Sequence, residues 1–219
     1  MATHVCPIWV GYFLASRLRK LLQNPTRIIG PFVRPNMTVL DFGCAMGFFS
    51  LPMAEAVGPG GKVVCVDRQP EMLDVLKRRA ARAGLLDRIQ CHVCPEDSID
   101  LKEYDGAFDF ALAFAVLHEV SHPDRILSDL GRLVRSDAPL LLAEPAGHVT
   151  PQEVEHTVAL AREHGFVMTR ALLIRSAHAA LLTRAATQEA TISEEDAGVR
   201  SGTAAKASDE HNRESRGRR

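Results

Sequence analysis

Between residues 38 and 182, short runs of β-branched and aliphatic residues alternate with longer stretches whose apolar positions recur every three to four residues. The short runs predict strands over 38–42, 62–67, 88–94, 108–114 and 140–144, and the longer ones predict helices over 48–57, 70–83, 122–134 and 151–164. Pro70, Pro123 and Pro151 sit where a first helical turn tolerates proline, and Gly58, Gly84 and Gly165 sit where helices commonly end. Strand and helix in strict alternation are the signature of βα units stacked into a parallel sheet. Two last strand-like runs, 166–174 and 177–182, are separated only by Arg175 and Ser176 and predict an antiparallel pair at the sheet edge. No internal repeat interrupts the pattern.

The flanks differ from this centre. Ile8, Trp9, Tyr12, Phe13, Leu18, Leu21 and Leu22 repeat at helical spacing, so residues 1–34 are expected to form a helical cap that packs on the sheet or covers its active edge. Trp9 and Tyr12 are its candidates for closing over a ligand. The apolar stretch 5–15 has no basic residue before it and runs on through Arg17, Arg19 and Lys20, which favours mature structure over a signal peptide. Beyond residue 184, Ile192 and Val199 are the only large aliphatics, too little apolar area to offset ordering entropy. Residues 185–219 are therefore expected to be a disordered polar tail ending in the basic cluster Arg216 to Arg219, leaving 35–184 as the α/β domain.

With 46% hydrophobic and 24% charged residues the chain has the composition of a globular protein. Its 219 residues exclude two large domains. Twenty-six basic against 27 acidic residues give a net charge of −1, so neither nucleic acid nor an anionic membrane is expected as a main partner. The apolar run 111–117 is far below the roughly 18 residues of a membrane span. Cys6, Cys44, Cys65, Cys91 and Cys94 are odd in number and lie in apolar, strand-like surroundings, which suits reduced thiols and a cytoplasmic location. Cys91 and Cys94 look like a metal pair, but residues three apart on a strand face opposite ways and no second pair exists, so no metal is expected.

The chemistry is concentrated in Val39-Leu40-Asp41-Phe42-Gly43-Cys44-Ala45-Met46-Gly47-Phe48, a strand running into a glycine-bearing turn and then a helix. Glycines at such a junction let backbone approach a ligand closely, and the next helix offers free N–H groups. A dinucleotide fingerprint starting at Gly43 needs glycine at 45 and 48, where the chain has Ala45 and Phe48. An acid two residues before Gly43 and a second glycine at Gly47 instead resemble the D/E-x-G-x-G-x-G motif of class I S-adenosylmethionine-dependent methyltransferases, with Ala45 in place of the middle glycine. A carboxylate at the strand end suits a cationic amino group and sulfonium and repels a pyrophosphate.

Three later segments fit the same resemblance. Asp67, ending the second strand 24 residues after Gly43, takes the position whose carboxylate accepts both ribose hydroxyls, with Arg68 beside it. Cys94-Pro95-Glu96-Asp97-Ser98 resembles the loop whose acid meets the adenine amino group, with Asp97 the candidate and Glu96 its neighbour. The run 108–120, ending Leu117-His118-Glu119-Val120, resembles the family's fourth strand, where the backbone around Ala115 lines the methionine end. The resemblance covers residues 35–165 and is nearest to compact small-molecule methyltransferases, including quinone-biosynthesis and arsenite types, although no cysteine triad is placed as in the latter. It implies a doubly wound, mostly parallel, seven-stranded Rossmann-like sheet with an antiparallel C-terminal hairpin. It implies Asp41, Gly43, Ala45, Gly47, Asp67, Arg68, Asp97 and Ala115 as cofactor-binding residues, S-adenosyl-L-methionine as cofactor and a small molecule as acceptor.

Methyl transfer needs alignment and exclusion of water, and a base only where the acceptor must lose a proton. His118 and Glu119 after the fourth strand, and Glu144 and His148 near the exit of the fifth, are the candidates, because ligands of such sheets bind at the carboxyl ends of strands. Histidine has the more suitable pKa. The alternative for His118 is a purely backbone-bonding role, and for His148 membership of a helix-start turn capped by Thr150. Two other readings stand beside the enzyme: a methyltransferase-like cofactor-binding or scaffolding protein, supported by Ala45, and a nicotinamide oxidoreductase, which the glycine spacing disfavours.

Overall fold

The structure, a computed structural model, describes residues 23–186. The expected tail from 187 onward and the expected cap before residue 23, with Trp9 and Tyr12, lie outside the described residues. A short helix α1 (Pro25–Ile29), capped by the Asn24 side chain, precedes β1 (Thr38–Phe42) and α2 (Ser50–Val57). Then come β2 (Lys62–Asp67), α3 (Pro70–Ala83), β3 (Ile89–Val93), β4 (Phe110–Phe114), α4 (Pro123–Leu133), β5 (Pro139–Pro145), α5 (Pro151–Glu163), β6 (Phe166–Ile174) and β7 (Ala177–Arg184).

The strands form one seven-stranded sheet in the order β3-β2-β1-β4-β5-β7-β6. The first five are parallel, and β7 inserts antiparallel between β5 and β6, so the expected hairpin is present with β6 as the outer edge. Central strands are buried on both faces, which explains why they read as nearly continuous apolar runs. Alternate residues divide between two cores. Leu40, Val64, Ala111, Leu140 and Leu182 meet α4 and α5 through Leu127, Leu130, Val154 and Val158. Val39, Val63, Phe110, Leu112 and Leu141 meet α1, α2 and α3 through Ile29, Met53, Val57, Leu73 and Leu76. Helices on both faces make the fold doubly wound, as the resemblance implies. Within the expected cap, Ile29 and Val33 are buried in this second core and Phe32 stacks on Phe110 at 5.7 Å, so the last residues of that segment pack as part of the layer.

Several boundaries differ from expectation by one or two residues, and three starts have a local cause. The helix predicted from 48 begins at Ser50, because residues 45–49 continue the turn that leaves β1. The strand predicted from 108 begins at Phe110, Phe108 making only an isolated bridge to Val134. The strand predicted from 88 begins at Ile89, after a single 3-10 turn at Leu86–Arg88. Because β1 lies between β2 and β4, the chain reverses its winding direction there, and a crevice opens at the carboxyl ends of β1 and β4.

Candidate active site

The turn leaving β1 occupies that crevice. Gly43 and Cys44 donate to the carbonyl of Val66, and Gly47 donates to that of Cys44, so the backbone doubles back tightly. Gly43 has φ +74°, and a Cβ there would lie 2.5 Å from Cγ2 of Val116, which enters from the end of β4. Both backbone shape and close approach therefore demand glycine. Gly47, at φ +81°, sits against Leu76 of α3. Ala45 is left-handed as well, at φ +44°, and its N–H donates to Asp67 Oδ2 at 2.8 Å. Arg79 of α3 holds the turn from behind by donating to the Met46 carbonyl.

Two carboxylates stand at the strand ends. Asp41 is 2% exposed and accepts a 2.5 Å hydrogen bond from Ser50 Oγ. Burial, with a smaller contribution from the Asp67 charge, pushes its pKa up to about 7 against the lowering effect of that hydrogen bond. Asp67 accepts from Ala45 N–H through Oδ2 and from Gln69 N–H at 2.9 Å through Oδ1. Burial raises its pKa while these backbone donors oppose the shift. Each oxygen keeps a lone pair for a further donor, so the carboxylate is oriented without being used up.

Both acids, with residues 43–46 of the turn, Ala115 and Glu119, line one cleft, while Gly47 faces Leu76 behind it. Arg68 and Glu96 also line it and pair at 3.5 Å, and Ser121 Oγ donates to Glu96 at 3.1 Å. Asp97 is not on the cleft wall: its Oδ2 accepts from Arg125 at 3.2 Å, while its Oδ1 is buried with no hydrogen-bond partner among the described residues. Of the two adjacent acids, the neighbour Glu96 is the one the structure brings to the other cofactor candidates.

On the other wall Ala115, at φ +56°, donates to the Ala143 carbonyl at 2.7 Å as the chain leaves β4. The 3-10 turn Leu117–Glu119 follows. Glu119 borders the cleft, and burial raises its pKa while His118 pulls it down. His118 lies behind, outside the cleft wall, with Nδ1 2.5 Å from Glu144 Oε2 and its ring stacked on His148 at 6.5 Å. The hydrogen bond to Glu144 raises the His118 pKa more than burial lowers it. His148 is exposed and forms no part of the cleft wall. Thr150, two residues on, caps α5 in a reciprocal box with Glu153. Phe48, Phe49 and Phe114 complete the apolar side, Phe49 lying 4.6 Å from Phe114 between ring centroids.

Ser50, Arg79, Val116 and the phenylalanines were not singled out by sequence reasoning. Ser50 sits nine residues beyond Asp41 and Arg79 is 33 beyond Met46; neither spacing belongs to a motif, and only the folded sheet brings them together. Among the described residues no group of three or more His, Cys, Asp or Glu side chains is arranged to hold a metal ion.

Residues 34–195 match the family described as methyltransferase domain. The chain belongs to that family, the class I S-adenosylmethionine-dependent methyltransferases. Among curated relatives of this methyltransferase-domain protein, the ubiquinone/menaquinone biosynthesis C-methyltransferase UbiE of Bordetella avium is 30% identical over 112 residues, 51% of this chain and 42% of that protein. The chain spans less than half the length of the first curated relatives it matches. Among solved structures, a SAM-dependent methyltransferase from Aquifex aeolicus has a TM-score of 0.72 at 23% identity, covering 82% of this chain and 98% of that one. The [4+2]-cyclase SpnF has a TM-score of 0.60 at 21% identity, covering 70% and 61%. These two likenesses establish the shared fold.

Proposed function

We propose that this methyltransferase-domain protein binds S-adenosyl-L-methionine and transfers its methyl group to a small molecule carrying an ionisable O–H or N–H group. The observation that carries the reading is the meeting of the Gly43–Gly47 turn, Asp41 and Asp67 with Glu119 in one cleft. The residues present fit the cofactor: an acid-lined cleft with Arg68 already paired to Glu96 favours a ligand of positive charge. Asp67 would accept from the ribose hydroxyls, the backbone of the turn and of Ala115 would border the methionine end, and Glu96 would meet the adenine side, with Asp97 held back on Arg125.

When bound, the cofactor supplies a methyl carbon activated by its sulfonium. The chain's own residues align the acceptor and keep water out. Phe48, Phe49 and Phe114 form an apolar wall against which a flat acceptor can lie. Glu119, its basicity raised by burial, would take the acceptor's proton at Oε1 or Oε2, leaving the acceptor atom with a lone pair free for methylation. His118, outside the cleft wall with Nε2 3.9 Å from Glu119 Oε1, would support that group instead of touching the acceptor, and His148 stacks on the His118 ring.

The relatives named for quinone biosynthesis make quinol-type phenols the first acceptors to offer. Isotope-labelled S-adenosylmethionine, incubated with the protein and a panel of phenols, quinols and amines, should place label in a small-molecule product. Tight cofactor binding with no labelled product across the panel would favour the second reading, a cofactor-binding or scaffolding protein. The left-handed Ala45 favours that reading, and SpnF shares the fold under a cyclase name. No described helix is long and apolar enough to cross a membrane. The four described cysteines are free thiols, which supports a cytoplasmic location.

A further inference from the structure

The turn that carries Glu119 into the cleft is tied to β5 by one side chain. Glu144, at the end of β5, is 2% exposed, and both its oxygens are engaged within the protein. Oε1 accepts the Leu117 N–H at 2.9 Å, and Oε2 lies 2.5 Å from His118 Nδ1. A carboxylate so deeply buried is costly unless it is paired, and the imidazole is the partner that offsets the cost. With the Nδ1 proton directed at Glu144, Nε2 is the remaining nitrogen of the ring. It lies 3.9 Å from Glu119 Oε1. His118 is thus faced by Glu144 from β5, by Glu119 from its own turn and by the parallel ring of His148 from the segment after β5.

We propose that Glu144 is a positioning residue: by holding Leu117 N–H and His118 Nδ1 together, it fixes the Leu117–Glu119 turn and aims His118 Nε2 at the Glu119 carboxylate on the cleft wall. The proposal rests on reading the cleft as a methyltransferase site. Its consequence is a row of carboxylate, imidazole and carboxylate that links the buried end of β5 to the acceptor side. In this row a protonated His118 stabilises ionised Glu119, and loss of the Nε2 proton leaves Glu119 a stronger base. Glu144 is therefore not itself a base for the acceptor, since neither of its oxygens reaches the cleft.

Long-range proton–nitrogen NMR of the full chain, with His118→Gln to assign the signal, tests this without any acceptor. The neutral ring of His118 should be the Nδ1–H tautomer, and its titration midpoint should lie above the ordinary 6.5. Glu144→Gln should lower that midpoint by at least one pH unit, a tenfold loss of proton affinity, and Glu144→Asp should restore most of it. Glu119→Gln should lower it by a few tenths. A neutral Nε2–H tautomer in the unaltered protein, or a midpoint unmoved in Glu144→Gln, would overturn the proposal. If Glu144→Gln does not fold, the tautomer of the unaltered protein and the Glu119→Gln shift decide. S-adenosylhomocysteine titrated into the same samples separates the two readings: failure to bind it refutes the cofactor site, whereas the tautomer and midpoints refute or sustain the positioning role.

Discussion

Asp41 links sequence to function through a single ionisation. Its acid is legible as part of a strand-end motif, but its burial and its Ser50 partner are properties of the fold. Its folded pKa, about 7, lies above the value of 3.8 expected for an exposed chain, so the stability it contributes is complete below about pH 4 and is lost as pH rises through 7. Asp41→Asn should therefore raise the melting temperature of the ligand-free protein by several degrees at pH 8 and have little effect near pH 4. Thermal unfolding across that range checks it, and a shift independent of pH would contradict the assignment. A cation in the cleft favours the ionised form, so the same substitution should weaken S-adenosylmethionine binding. Ala45 makes the opposite kind of prediction. A left-handed non-glycine residue costs about 1 kcal/mol, so Ala45→Gly should be neutral to stabilising by about that amount while cofactor affinity holds or improves. Weaker binding would mean that the alanine methyl itself contacts the ligand.

Elements hold the ligand turn from outside the cleft. Arg79 reaches from α3 to the Met46 carbonyl, and its stem runs half-buried beneath the turn. Arg79→Met keeps the stem and removes the donor; it should weaken S-adenosylhomocysteine binding about fivefold and cost about 1 kcal/mol of stability, read by calorimetry and denaturant unfolding. Asp129 of α4 plays a similar part for the loop after β3, accepting from Ile99 N–H at 2.7 Å and Ser98 Oγ at 3.0 Å. The elements themselves were readable because residues such as Val63 to Val66 fill both cores in alternation, and proline and glycine punctuate the helices. Phe48 and Phe49 misled the helix start, since their burial against the sheet looks in sequence like the first turn of a helix. Glu96 and Asp97 are neighbours on a loop without periodicity, so no pattern tells which faces the cleft. Glu144 and His118 lie 26 residues apart, and they meet only because β4 and β5 are adjacent.

At the scale of the whole described domain, strand order creates the site. Winding outward from β1 in both directions leaves the ends of β1, β2 and β4 facing one crevice, and the acids there, Asp41, Asp67, Glu96 and Glu119, come from four separate segments. The opposite edge of the sheet is remote from this chemistry. On β6, Leu173 is fully exposed and Val167 is more than half exposed. Leu173→Lys should leave both the melting temperature and cofactor affinity nearly unchanged, as expected of a surface position far from the cleft. The crevice is proposed to bind S-adenosylmethionine through the Gly43–Gly47 turn and Asp67. Calorimetric titration with S-adenosylmethionine and S-adenosylhomocysteine, with NAD and NADP as controls and Asp67→Ala as the comparison, tests it most directly. Micromolar binding of the first pair alone is expected, weakened at least tenfold in Asp67→Ala. Binding of neither by the folded protein, or affinity untouched by the substitution, would contradict it.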